Sequence, residues 1–232
     1  MNRSIMGKDD GREAECLAHV RAHAERGNPQ SVLREIDRFA RTSKWMMNVG
    51  DVKGEILKSS LLRANPQLVL ELGAYCGYSA ITMASTIAPK ARVVTVEMSE
   101  EFAQITQQMC LFAGVGNKVK VINGTVATPA TLQQLKLEVG NPGKVDFVFL
   151  DHYKEAYLPD LKTLMGEGFL HPGSVVFADN CLVPGAPAYV AYMDQHADLF
   201  STTKFKTQLE YQEGVEDMVL ESILLPSAKS KM

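Results

Sequence analysis

Apolar positions recur along this chain with two periods, and the change from one to the other divides it. From Glu13 to Arg26 they fall at helical spacing, with Cys16, Leu17, Val20 and Ala24 on one side. Gly27-Asn28-Pro29 breaks the pattern, and Asn28 before Pro29 predicts the N-cap and first residue of a second helix. That helix runs to about Ser43 and buries Val32, Leu33, Ile36 and Phe39. A third, about Gly50 to Ala64, turns Val52, Ile56 and Leu61 inward and leaves Lys53 and Glu55 solvated. Short apolar runs of strand length then begin: Leu68 to Leu72, Arg92 to Val96, Lys118 to Ile122, Val145 to Leu150, Ser174 to Ala178, Thr203 to Leu209 and Met218 to Leu224. Helical patterns separate most of them, starting at Tyr78 and spanning Glu100 to Ala113, Thr131 to Glu138, Leu158 to Met165 and Pro187 to Asp194. Asn141-Pro-Gly143 and His171-Pro-Gly173 are expected as turns. Strands alternating with helices predict an α/β fold: a seven-stranded, mostly parallel sheet with helices on both faces. The short link around Gly214 makes the last two strands an antiparallel pair. The three leading helices should cover one face and contribute to a substrate lid.

The length of 232 residues suits a single domain, with 1–11 a flexible lead and 226–232 a loose tail. A net charge of −3 argues against a nucleic-acid binder driven by bulk electrostatics. Cys16, Cys76, Cys110 and Cys181 show no C-x-x-C spacing and are expected as reduced thiols. No apolar run approaches the roughly 18 residues of a membrane span, and the polar N-terminus lacks a signal-peptide core. A cytoplasmic protein, a monomer with no membrane span, is the expectation.

Candidate chemistry sits at the strand ends, where ligands bind in open α/β sheets. Leu68-Val-Leu-Glu71-Leu-Gly73-Ala-Tyr-Cys-Gly77-Tyr-Ser-Ala80 reads as strand, glycine turn and helix start. The spacing is not the G-x-G-x-x-G of dinucleotide sites. With Glu71 before the turn and Glu97 ending the next strand, able to accept ribose hydroxyls, it fits S-adenosylmethionine better than NAD. The competing reading is an ordinary strand–turn–helix with incidental glycines. Asp151 and Asp179 each follow an apolar strand, and Asn180 adds an amide oxygen. Two carboxylates on neighbouring strands repel unless they share a cation, and an oxygen set with room for water suits Mg²⁺. Helix capping is the alternative for either aspartate alone. Lys154 is a candidate general base, against the commoner solvated lysine, and His152 could serve instead. Trp45, Met46, Met47 and Val49 form an apolar loop that is either core or binding wall. Glu210 either faces the same rim or is an exposed strand charge.

Trp45-Met-Met-Asn-Val-Gly-Asp51, Leu70 to Ala80, Ile105-Thr-Gln-Gln-Met109, Leu150-Asp-His-Tyr-Lys154, Ala178-Asp-Asn180 and Val183-Pro-Gly185 together resemble the catechol O-methyltransferase family, over most of the chain from about Gly27 onward. The resemblance implies a Rossmann-like class I methyltransferase fold and Mg²⁺-dependent methyl transfer from S-adenosylmethionine to one hydroxyl of a catechol, such as a catecholamine neurotransmitter or catechol estrogen. It implies that Asp151, Asp179 and Asn180 hold Mg²⁺, that Lys154 takes the proton, and that Glu210 bonds the other hydroxyl. The Val49 backbone and Ser79 would hold the methionine carboxylate of the cofactor. Glu71, Gly73, Tyr75 and Tyr78 would line that pocket, with Met47 and Asp151 at its border. Glu97 would bind the ribose, and Met98, His152 and Gly124 the adenine end. Trp45, Met47, Tyr153, Pro184 and Leu209 would form the slot for the ring, next to Lys154, Asn180 and Glu210. Two positions depart from the family: Tyr153 stands where tryptophan is common, and Gly124-Thr-Val-Ala127 where Gly-Ala-Ser-Gln is common. The change at Val126 and Ala127 puts side-chain bonds to adenine in doubt. A methyltransferase for another vicinal diol, such as a caffeoyl ester, and a non-catalytic cofactor-binding protein are the rival readings.

Overall fold

Seven strands form one sheet in the computed structural model, which describes residues 10–140 and 143–226. They are β1 (Leu68–Leu72), β2 (Arg92–Glu97), β3 (Val119–Asn123), β4 (Val145–Leu150), β5 (Leu170–Ala178), β6 (Phe200–Gln208) and β7 (Glu216–Leu224), in the order β3-β2-β1-β4-β5-β7-β6. The first five in chain order pair parallel, and β7 inserts antiparallel between β5 and β6. The chain grows outward from β1 toward β2 and β3, then returns to place β4 on the other side of β1. That reversal between β1 and β4 is where an open α/β sheet leaves its ligand crevice.

Alternation along each strand sorts the core into two layers. Val69, Val93, Phe147, Phe149, Val175, Phe177 and Val219 join one cluster with α1 (Arg12–His23), α2 (Pro29–Thr42), α3 (Gly50–Ala64), α4 (Tyr78–Thr86) and α5 (Glu100–Phe112). Leu68, Leu70, Leu72, Val94, Val148, Leu150 and Val176 join the other with α6 (Pro129–Val139), α7 (Tyr157–Gly166) and α8 (Pro187–Gln195). Each fully buried phenylalanine contributes about 1.5–3 kcal/mol, and Phe177 packs on both Phe147 and Phe149. Glu71 shares the period-two face of Val69 and therefore looks toward α4. The three leading helices do cover one face, and Asn28 caps α2 by accepting from the Ser31 N–H at 3.1 Å.

The structure departs from the sequence pattern in several places. The α1 helix stops at His23 because Ala24 turns extended. Leu61 is buried and Ile56 half-buried against the core as expected, but Val52 is 59% exposed, and Lys53, Leu57 and Ser60 complete the inward stripe of α3. The turn expected at His171-Pro-Gly173 lies within β5, where pairing with β4 slips between Val145 and Phe147. Ser174 bridges that slip, accepting from the His171 N–H at 2.9 Å and donating to the Val145 carbonyl at 2.7 Å. Asp10 is bound by Arg12, whereas the rest of the expected lead, Asn141-Pro142 of the other turn, and the tail beyond Pro226 lie outside the described residues. All four cysteines are buried and unpaired. Among the described residues, no helix is long and apolar enough to cross a membrane.

Candidate active site

The glycine turn after β1 is built by backbone constraint. Gly73 has φ of +93°, and a Cβ there would lie 2.7 Å from the Asp151 carbonyl oxygen and 2.8 Å from the His152 nitrogen. Both obstacles are main chain, so neither can swing away. Gly73→Ala is therefore expected to cost about 2–5 kcal/mol from strain and overpacking. A urea unfolding midpoint matching that of the wild type would contradict this. Glu97 ties the turn down: its carboxylate accepts from the N–H groups of Ala74 at 3.0 Å, Tyr75 at 2.9 Å and Ser99 at 2.9 Å. The acid expected at the ribose thus also organises the loop that would hold the cofactor.

Around this turn the structure gathers most of the residues expected at the cofactor. Glu71 is fully buried and bonded by the Ser79 hydroxyl through Oε1, while Oε2 has no partner. Burial pushes its pKa up to about 8, against the opposing pull of the Ser79 and Thr95 hydroxyls. Tyr75 donates to Glu13 of α1 at 2.6 Å, and Tyr78 to Asp37 of α2 at 3.0 Å, so both tyrosines are anchored by the leading helices. Val49 is buried immediately before α3. Gly124 donates to the Glu97 carbonyl at 2.8 Å. His152 pairs Nε2 with Asp160 at 2.9 Å and leaves a buried Nδ1 without a partner. Met98 is 75% exposed at the rim. Val126 is buried among the core residues beneath α6. The departure from the family's polar pair therefore puts an apolar core residue at that position.

The second half of the site lies across β4 and β5. Leu150 and Ala178 are in register, so Asp151 and Asp179 leave the sheet side by side. Asn180 takes a left-handed conformation, φ +50°, which asparagine tolerates. Lys154, on a 3-10 turn, donates to Asp151 Oδ1 at 2.8 Å and to the Tyr157 hydroxyl at 2.7 Å. Tyr157 in turn donates to the Asp179 carbonyl at 3.0 Å. Burial raises the Asp151 pKa and the nearby Asp179 charge adds to this, while Lys154 opposes it. Asp179 is fully buried; Oδ1 accepts from the Asn180 N–H at 2.7 Å, and Oδ2 has no partner. A buried carboxylate oxygen left unbonded is costly. Asp179, Asp151 and Asn180 stand together at adjacent strand ends, two carboxylates and an amide, the oxygen chemistry of a hard cation such as Mg²⁺.

Lys53 corrects the sequence reading most sharply. Expected in solvent, it is 1% exposed. Its ammonium lies 2.8 Å from Asp179, 2.8 Å from Glu210 and 3.1 Å from Asp217. Burial disfavours the ammonium, but these three carboxylates outweigh it and hold the pKa above the ordinary lysine value. Asn180 Nδ2 donates to Asp217 at 3.0 Å, which leaves its amide oxygen as the atom for a cation. Glu210 is buried rather than an exposed strand charge. Trp45 donates from its indole to the Glu210 carbonyl at 3.1 Å, and its own carbonyl accepts from Arg12 at 2.8 Å. Leu209 is buried beside them, whereas Met47 is half-buried, and Pro184 and Tyr153 stand exposed on the rim. Residues missed from sequence are Lys53, Asp217, Tyr157, Glu13 and Asp37. A signal existed for Lys53 alone, since Lys53, Leu57, Ser60 and Leu61 recur at helical spacing.

Comparison with known proteins gives the family. A family model described as O-methyltransferase matches residues 23–223. A probable O-methyltransferase of Mycobacterium tuberculosis is 47% identical, over 92% of this chain and 92% of its own. The catechol O-methyltransferase of Mus musculus is 44% identical over 89% of this chain and 77% of its own, and that of Bos taurus 41% over 96% and 81%. Among solved structures, the O-methyltransferase from Bacillus cereus in complex with SAH superposes with a TM-score of 0.68 at 21% identity, covering 96% of this chain and 94% of that one. That likeness shows the fold, a class I methyltransferase sheet. With a family match spanning the sheet and its site, and relatives above 40% identity, the chain belongs to the O-methyltransferase family and is a catechol O-methyltransferase-like, S-adenosylmethionine-dependent enzyme.

Proposed function

We propose that the protein methylates one hydroxyl of a catechol, with Mg²⁺ held by Asp151, Asp179 and Asn180. The observation that carries this is one bonded chain of groups. Lys154 is joined to Asp151 and, through Tyr157, to Asp179, and Lys53 continues the chain to Glu210. A base and a carboxylate acceptor thus flank paired aspartates, which suits two adjacent hydroxyls. The catechol O-methyltransferases of mouse and cattle among the relatives support the same substrate class.

When bound, Mg²⁺ would supply a Lewis acid that lowers the pKa of the hydroxyls and fixes their position. S-adenosylmethionine would supply an electrophilic methyl on a sulfonium. The residues do the remaining work. Lys154 would accept the proton of the hydroxyl to be methylated, freeing its oxygen as the nucleophile for the sulfonium methyl, whose sulfur would leave as a neutral thioether. Glu210 accepts a hydrogen bond from the second hydroxyl. Trp45, Met47, Leu209, Pro184 and Tyr153 seat the ring, and Glu71, Ser79, Glu97 and His152 seat the donor. Because opposite charges cancel as the bond forms, orientation supplies much of the acceleration. The test is transfer from S-adenosylmethionine to a simple catechol, followed by mass, with Mg²⁺ and with EDTA. Metal-dependent monomethylation is expected, and absence of product despite cofactor binding would overturn the assignment. The exposed rim at Tyr153 favours including a caffeoyl ester beside the catechol, because an open rim admits a longer diol.

Glu71 gives this pocket a pH signature. With its pKa near 8 it is mostly protonated at neutral pH, and a cationic donor favours its ionised form. Cofactor affinity is therefore expected to rise as pH increases toward about 8 and then level off. Below that point, binding should release a proton. Calorimetry in two buffers of different ionisation enthalpy reads that proton, and Glu71→Gln should abolish the dependence. A wild-type affinity flat with pH would remove Glu71 from the cofactor pocket.

A further inference from the structure

The proposed metal pocket already contains a cation of its own, the Lys53 ammonium, and its placement constrains how Asp179 can bind another. Lys53 Nζ, at 2.8 Å, and the Asn180 N–H, at 2.7 Å, both occupy Asp179 Oδ1. Oδ2 is the oxygen without a partner. An aspartate pinned in this way offers a metal one oxygen. Mg²⁺ takes six ligands in a near-ideal octahedron at about 2.0–2.1 Å, whereas Ca²⁺ takes six to eight at about 2.3–2.6 Å and readily uses both oxygens of a carboxylate. We infer that Lys53 is a metal-selectivity residue: by holding Asp179 to one oxygen it favours Mg²⁺ over Ca²⁺. This rests on the metal reading of the preceding section.

The same ammonium extends the constraint beyond Asp179. It bonds Glu210 Oε2 at 2.8 Å, the acid expected at the second hydroxyl. It also bonds Asp217 Oδ2 at 3.1 Å, while Asp217 Oδ1 accepts from the N–H groups of Leu182 at 3.3 Å and Val183 at 3.0 Å. Those two residues lead into Pro184 at the rim. One buried side chain on α3 therefore links the proposed metal ligand, the substrate acid and the rim loop. Its loss would leave Asp179 Oδ1 held by the Asn180 N–H alone, opening that oxygen's second acceptor position, and would remove a positive charge beside the proposed metal site. Divalent cations as a group should then bind more tightly, Ca²⁺ gaining most. A merely damaged site would lose affinity for both metals alike.

The experiment is calorimetric titration of the full chain with Mg²⁺ and with Ca²⁺ separately, with folding checked by circular dichroism. Lys53→Met tests the inference directly. Lys53→Met with Asp217→Asn removes one charge of each sign, which guards against unfolding by unpaired carboxylates, and Lys53→Arg keeps the charge and the donors. The wild type should prefer Mg²⁺, Lys53→Arg should retain that preference, and both Met variants should shift the Ca²⁺-to-Mg²⁺ affinity ratio toward Ca²⁺ by about tenfold. Equal wild-type affinities, an unchanged ratio in a folded Met variant, or loss of the preference in Lys53→Arg would overturn the inference while leaving the metal reading intact. A wild type that binds neither cation would overturn the metal reading itself.

Discussion

Replacing Lys154 with methionine is expected to lower the methyl-transfer rate by about 10²–10⁴-fold, the usual contribution of a positioned acid–base group, with little change in S-adenosylmethionine affinity. The geometry explains why the effect should fall on turnover. Lys154 Nζ is held by Asp151 Oδ1 at 2.8 Å and the Tyr157 hydroxyl at 2.7 Å, so the nitrogen is aimed before substrate arrives. Methionine keeps the unbranched stem and its packing against Tyr157 but cannot take a proton. The Asp151 side chain, 13% exposed, loses a partner without becoming sealed from water, so the fold should survive. The variant rate should also climb with pH, because hydroxide then supplies the catecholate that Lys154 no longer generates. Single-turnover kinetics checks both points, and near-normal turnover would pass the role to another base. His152 is the base to examine next, since Asp160 holds its Nε2 at 2.9 Å and its Nδ1 has no partner.

Asp179→Ala is expected to abolish activity and Mg²⁺ stimulation together. The substitution removes the unpartnered Oδ2 proposed for the metal and, with Oδ1, one of the three carboxylates around Lys53. The ammonium keeps Glu210 and Asp217, so the loss in stability should be smaller than the about 3–5 kcal/mol of a fully orphaned buried charge. Thermal unfolding and a Mg²⁺ titration of activity separate the two effects. A folded Asp179→Ala protein that still responds to Mg²⁺ would place the metal elsewhere. Full wild-type activity in EDTA would remove the metal from the reaction.

These expectations draw unequally on sequence and structure. The strand-end acids, the glycine turn and Lys154 were legible because each follows a strand whose apolar run is unmistakable. Gly73 and Gly77 stand where the chain needs positive φ, and Asn28-Pro29 announces a helix that begins at Pro29. The turn signal of His171-Pro-Gly173 is realised inside β5 as a bulge, where β4 pairs with Leu170 and then Val175 and Gly173 takes φ of +98°. Val52 and Lys53 reverse the order that polarity alone predicts, because the helical stripe of α3 carries Lys53 inward. A lysine on a buried stripe is burdensome unless carboxylates surround it, and those carboxylates are remote. Glu210 lies 157 residues further along the chain, and Asp217 lies 164.

By itself the sequence determined the local elements, their alternation into a mostly parallel sheet, and the residue types gathered at its carboxyl edge. Those follow from periodicity and backbone chemistry, which act over a few residues. Only the tertiary structure decided that Lys53 meets Asp179, Glu210 and Asp217, that Glu97 braces the glycine turn, and that Tyr75 and Tyr78 hang from the leading helices. The energy of a buried charge depends on every partner within a few ångströms, and those partners come together only when distant segments pack.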